Sequence, residues 1–415
     1  MKFHHSDRGG RVSRCARPGN AWHILRLVVA MCAAAGAVAD SALPPAGPAV
    51  PSFFYTNQHV GDPLWSIHVV RIKRSAPGVE LRSVHAGAGA LGLSTLSAQI
   101  QQLNRAGVAV LAGVNGDFYQ RDRAYAGDPR GLQIVEGEVL RSPSGGASLW
   151  VDAAGQPHAA NVVSQFQITW PDGTVTPFGL NGPRASNGIE LFSPAIGAST
   201  LTTRGRELIL EPVGDNAGLP LHAGETLLAR VREIRAAGDT ALHRGVLVLS
   251  IGPAVAKVPE VAPGAVLKIA TTTVPDLRGA RTALSGGPVL VRGSRALRIK
   301  PPSEDSYEYS SMLERHPRSA IGWNGQYYFL VEVDGRQANL SVGMTLAELA
   351  AYLAKLGCEE AMNLDGGGSA TLWFAGAVRN RPCDGYERGI ANALLVVEKL
   401  PSAGVPTGTG SGANN

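Results

Sequence analysis

Residues 357–369 read GCEEAMNLDGGGS, and the rest of the chain is best interpreted outward from them. Gly357 closes a helical pattern, Asn363 and Asp365 flank one apolar residue, and Gly366, Gly367 and Gly368 follow. Consecutive glycines lose much conformational entropy on folding, and a plain turn needs only one. Bare backbone of this kind lets N–H groups approach an anion and form a nest for phosphate or an oxyanion. The alternative reading of the same residues is a tight turn with a polar lip.

Upstream, Leu346, Leu349, Leu353 and Leu356 fall at helical spacing, and Thr345 with Glu348 makes a capping box. Tyr327–Val333 has a strand pattern ending in the turn dipeptide Asp334-Gly335. The same order occurs near the start. Leu96, Ile100 and Leu103 form a helical stripe between Ser94, the expected N-cap, and Gly107. The apolar run 108–114 then delivers Asn115, Gly116 and Asp117. Strand, helix, glycine, strand, Asn-x-Asp therefore appears twice. An internal duplication is one reading and coincidence the other; under the first, both Asn-x-Asp pairs surround one cleft. Between them, strand patterns at 132–135, 147–151, 162–170, 207–212, 226–234, 246–251, 266–273 and 288–291 make 130–300 a β-rich middle. The expected class is α+β, with mixed β-sheets and a few packed helices.

The termini read differently. Six basic residues and an apolar run, 27–39, ending Ala37-Val38-Ala39 mark 1–39 as a signal peptide cleaved before Asp40. The run is too short to span a bilayer comfortably, and no later stretch is a membrane span. The chain thus reads as exported, periplasmic or secreted. Of 38 basic and 33 acidic residues, 1–39 hold six and one, so the remainder is neutral. The formal charge of +5 belongs to the signal and is no evidence for nucleic-acid binding. Residues 40–59 read as a Pro-rich linker, 60–398 as one domain, and 399–415 as a disordered tail. Cys358 and Cys383 survive signal removal and bracket the glycines. In an oxidising compartment they are expected to form a disulfide worth roughly 3 kcal/mol, with two free thiols as the alternative.

Further polar clusters are Arg315-His316-Pro317-Arg318 and Glu387-Arg388. Arginine's planar fork suits a phosphodiester, and His316 can carry protons. Ser285 lacks a nucleophile elbow, so a catalytic serine is not indicated. The motifs NGDFY (115–119), SGGPVLV (285–291), RHPRSAIGW (315–323), DGR (334–336), TLAELAAYL (345–353), NLDGGGSATL (363–372) and ERGIANAL (387–394) stand in that order. Together they resemble the phosphodiester glycosidase family. The resemblance covers most of 60–398 and implies cleavage of a sugar from a glycosyl-1-phosphodiester or envelope glycan, with no cofactor. On that chemistry Asp117, Asp365 and Glu387 are the candidate catalytic carboxylates. Arg318, Arg388, His316 and the N–H groups of Gly366, Gly367 and Gly368 are candidate phosphate contacts, and Asn115 and Asn363 candidate sugar contacts. Two competing readings are a metal-dependent phosphodiesterase, with Asp117 and Asp365 as ligands, and a non-catalytic glycan-binding module. The His/Asp clustering and exposed aromatics these would use are sparse, and no metal site is indicated.

Overall fold

The computed structural model describes residues 52–87, 91–121, 123–214, 219–300 and 311–398. The signal peptide 1–39, the linker as far as 51 and the tail 399–415 lie outside the described residues. Two antiparallel sheets carry the two Asn-x-Asp pairs. The first runs in the order Phe53–Gly61, Leu64–Lys73, Tyr327–Val333, Arg318–Trp323, Glu360–Asn363, Val289–Arg292, Arg295–Ala296. The second runs Ala377–Val378, Leu372–Phe374, Val110–Asn115, Asn392–Glu398, Val79–His85.

Side-chain alternation assigns the faces. Val70 and Ile72 of the first sheet and Leu394 and Val396 of the second lie in one shared apolar core. The opposite face of the first sheet, with Ile67, Val69 and Val331, packs against the helix Leu346–Leu356, here α2. The opposite face of the second, with Ala393, Leu395 and Val397, packs against Leu96–Arg105, here α1. Leu346, Leu349 and Leu353 of α2 are 2%, 0% and 0% exposed. At about 2 kcal/mol each they hold the helix by up to about 6 kcal/mol, measured against an extended unfolded chain. Thr345 and Glu348 form the expected reciprocal cap, and Gly357 ends α2 in the left-handed conformation at φ 96°. In α1 the N-cap is Thr95 rather than Ser94, its side chain accepting from the Ala98 N–H.

The two strand–helix–strand units share one pairing. Val79–His85 and Val110–Asn115 are parallel, with Asn392–Glu398 antiparallel between them. Tyr327–Val333 and Glu360–Asn363 are likewise parallel, with Arg318–Trp323 antiparallel between them. The middle of the chain forms a five-stranded and an eight-stranded sheet with their own core around Phe166, Ile168, Leu208, Leu249 and Leu267. Its strands Ala147–Val151, Thr226–Arg235 and Val266–Val274 fall where the pattern put them. The described chain is mostly β-sheet, with helices fewer than the α+β class suggests.

Two expectations are corrected. Residues 53–59 are not linker: Phe53–Gly61 is a strand zipped along the length of Leu64–Lys73. Cys358 and Cys383 are free. Cys358 is buried in the core under α2, at the end of the sheet marked by Trp323 and Glu359. Cys383 lies at the other end of that sheet, near Arg336 and Asp384. The strand between them spans more than a disulfide's Cα separation of about 7 Å.

Candidate active site

The strands Val110–Asn115 and Glu360–Asn363 end side by side. The Asn115 amide donates to the Asp365 carbonyl (2.6 Å), and the Asp365 N–H donates to the Gly116 carbonyl (2.9 Å). Residues 250 positions apart thus share one site. Asn115 itself is 0% exposed, and its Oδ1 accepts from Ser319 Oγ (2.6 Å) and the Thr371 N–H (3.1 Å). Its amide rivets the two sheets together, where the sequence suggested a sugar contact.

Asp365 borders a polar cavity of about 220 Å³, together with Arg121, Arg336, Arg388, His316 and Asn363. Burial pushes its carboxyl up to about 6, opposed by Ser369, the Gly366 N–H, Arg388 and Arg121. Asp117 lies one layer deeper, 3% exposed, its Oδ2 accepting from the Gly131 N–H (3.0 Å). Burial raises it to about 7, with the Asp365 charge adding to the rise. The Asp117 main chain is held by its N–H donating to Asn392 Oδ1 (2.7 Å). Carboxyls raised by burial in this way are suited to acid or base work near pH 7.

Asn363, 2% exposed, donates through Nδ2 to the Gly287 carbonyl (2.8 Å), while its buried Oδ1 has no hydrogen-bond partner. Leaving such a buried acceptor without a donor costs about 1–3 kcal/mol. Asn363 also borders a larger, more apolar cavity of about 930 Å³, which shares Phe118, Ser311 and Arg318 with the first.

All three glycines line the cavity, and two of them use their N–H groups within the protein. The Gly366 N–H donates to Asp365 Oδ1 (2.8 Å) and the Gly367 N–H to the Pro317 carbonyl (2.9 Å), so neither points to a ligand. A Cβ at Gly366 would strike the Pro317 carbonyl, and one at Gly368 would strike Arg388 and Asp384. Gly367 has φ +61°, with the Arg336 guanidinium against it.

Arg318 is held by the main chain. It is 4% exposed, with Nε donating to the Met344 carbonyl (2.7 Å) and Nη2 to the carbonyls of Ser311 (2.6 Å) and Glu314 (2.8 Å). These bonds brace it in the wall shared by both cavities. Arg388 does reach the cavity, both Nε and Nη2 sharing Asp384 Oδ2 at 2.9 and 2.7 Å. Burial lowers the His316 pKa, helped by Arg318 and Arg336, and the opposing pull of Glu314 is smaller. Glu387 does not join the two aspartates. Its carboxylate accepts from the Ser97 N–H (3.0 Å) and Oγ (2.6 Å), capping α1. Sequence reasoning missed Arg121 and Arg336. Arg336 sits at φ 58°, a conformation unusual for a non-glycine residue, just after the Asp334-Gly335 turn. The DGR triplet was the available signal, and as a turn it gave no reason to count the arginine.

Residues 225–397 match the family model for phosphodiester glycosidase, which bears out the resemblance over that part of the chain. The SPbeta prophage-derived uncharacterized protein YomE of Bacillus subtilis is 32% identical over 120 residues, 29% of this chain and 18% of that protein. The chain therefore spans under a fifth of that relative's length. A hypothetical protein from Synechocystis superposes with a TM-score of 0.67 at 21% identity, over 83% of this chain and 62% of that one. A protein from Burkholderia pseudomallei K96243, provisionally described as exported, superposes with a TM-score of 0.62 at 23% identity, over 80% and 74%. These two likenesses establish the fold.

Proposed function

We propose that the chain hydrolyses a glycosyl-1-phosphodiester at the sugar C1–O bond, releasing a phosphomonoester. The observation that carries this is Asp365: a carboxylate raised to about 6, at the wall of a small cavity ringed by Arg121, Arg336 and Arg388. A phosphomonoester anion is a good leaving group and needs little protonation, so the site needs cationic stabilisation of phosphate more than a strong acid. Asp365 attacks C1 or activates water for that attack. Asp117, neutral when Asp365 is ionised, keeps a second negative charge away from the reacting centre. Asn363 lines the wall on the sugar side, and the adjoining larger cavity gives the aglycone room. The basic and apolar features of 1–39 support export, and the matching pairing of the two strand–helix–strand units supports an internal duplication.

The test is incubation with a panel of glycosyl-1-phosphodiesters in oxygen-18 water. Label in the released sugar supports C1–O cleavage. Label in the phosphate refutes it in favour of P–O cleavage. Saturable binding of the whole panel without turnover would replace both with a glycan-binding module.

A further inference from the structure

Three donor side chains that the proposed reaction does not use converge behind the Arg336 turn. His68 and Glu332 are directly opposed across Leu64–Lys73 and Tyr327–Val333, and Asp334 follows just beyond. They are 3%, 0% and 2% exposed, and one donor atom from each lies within 4.8 Å of the others. The outward atoms are already oriented. The Tyr55 hydroxyl lies 2.8 Å from His68 Nδ1, and the Arg381 N–H donates to Asp334 Oδ1 (2.8 Å). His68 Nε2 and Asp334 Oδ2 are thereby turned inward, 2.9 Å apart. Orientation of each ligand through its far atom is the usual outer-shell pattern of a metal centre.

The independent observation is Glu332. Both of its oxygens are buried, and neither makes a hydrogen bond of good geometry. The Asn380 amide, which donates one hydrogen to the Ala370 carbonyl (3.1 Å), lies close enough to offer its other one, so at most one donor serves the two oxygens. A buried carboxyl so short of donors beside a second carboxylate is costly whether or not it carries a proton, because neither form has its full set of hydrogen bonds. A cation would satisfy it.

We propose that His68, Glu332 and Asp334 bind one divalent transition-metal ion of the zinc type. One imidazole and two carboxylates suit that class, and Ser66 Oγ, 3.2 Å from His68 Nε2, stands as a fourth neighbour. The ion is structural: it fastens the strand pair to the turn that presents Arg336 and to the segment at Arg381.

The test uses the full chain, stripped with a chelator and then given Zn²⁺, Mn²⁺ or Ca²⁺, with bound metal measured by mass spectrometry and stability by thermal melting. One zinc per chain and a raised Tm are expected, with at least a tenfold loss of affinity and no Tm response in Glu332→Gln. Co²⁺ in the unaltered chain should give weak d–d bands without a thiolate charge-transfer band, which separates this site from Cys358 and Cys383. Substoichiometric zinc with unchanged Tm overturns the proposal, as does Glu332→Gln responding like the parent. A response to Ca²⁺ alone overturns the assignment to the zinc class.

Discussion

Replacing Asp117 by asparagine should stabilise the protein above neutral pH and leave it unchanged in acid. The side chain keeps its shape and can still accept from the Gly131 N–H through its carbonyl oxygen. What it loses is a charge held where only 3% of the residue is exposed. The folded pKa of about 7 exceeds the ordinary 3.8. Below about pH 4 both folded and unfolded chains carry the proton, so the group does not discriminate between them. As pH rises from about 4 to 7 the unfolded chain gives up its proton and the folded chain keeps it, so native stability falls across that window. Above about pH 7 the loss is complete. At 1.36 kcal/mol per pH unit it amounts to about 4 kcal/mol, and relaxation around the buried charge should bring the observed value to about 2–4 kcal/mol. Urea unfolding of both proteins from pH 4 to 8.5 reads this directly. The difference should be near zero at pH 4, grow through pH 6 and level off above 7. A difference independent of pH would show that Asp117 is not a raised carboxyl, and would remove the paired-carboxylate account of the site.

Asp365→Asn should lower kcat at least about 100-fold on a glycosyl phosphodiester, the low end for losing a base or nucleophile, in steady-state assays at pH 7. Arg336→Gln should raise KM for a phosphodiester at least several-fold while moving an uncharged aryl glycoside little; equal effects on both would mean that the residue does not meet phosphate. Glu387→Gln should cost about 1 kcal/mol in chemical denaturation by weakening the α1 cap, yet leave kcat within a few-fold of the parent. A hundredfold loss of kcat there would return Glu387 to the reacting centre.

Local chemistry was readable and spatial neighbours were not. The α2 boundaries follow from Thr345, Glu348 and Gly357, all of which act within one turn of the helix end. The strands Ala147–Val151 and Val266–Val274 follow from alternation bounded by glycine and proline. The meeting of Asn115 with Asp365 was accessible because the same pattern occurs twice. The roles of the glycines were hidden, since their neighbours Pro317 and Arg388 come from remote loops. Arg318 and Glu387 looked like free charges because the main-chain carbonyls and the Ser97 N–H that take them up leave no trace in composition. Phe53–Gly61 was merged with the Pro-rich stretch before it, although its own residues are aromatic and β-branched enough to form a strand.

The Asn115 rivet bears on how a substrate is received. Asn115 stands on one sheet, takes a hydrogen bond from Ser319 on the other, and gives one to the Asp365 main chain. Shearing the sheets past one another at that point would break buried hydrogen bonds, so Asp117 and Asp365 are expected to move together. Adaptation to the ligand is left to the guanidinium arms at the rim, whose rotamer changes take picoseconds to nanoseconds. Stopped-flow mixing with a non-hydrolysable phosphodiester should accordingly show a single association phase, its rate linear in ligand concentration, with no slower plateau from a closing step.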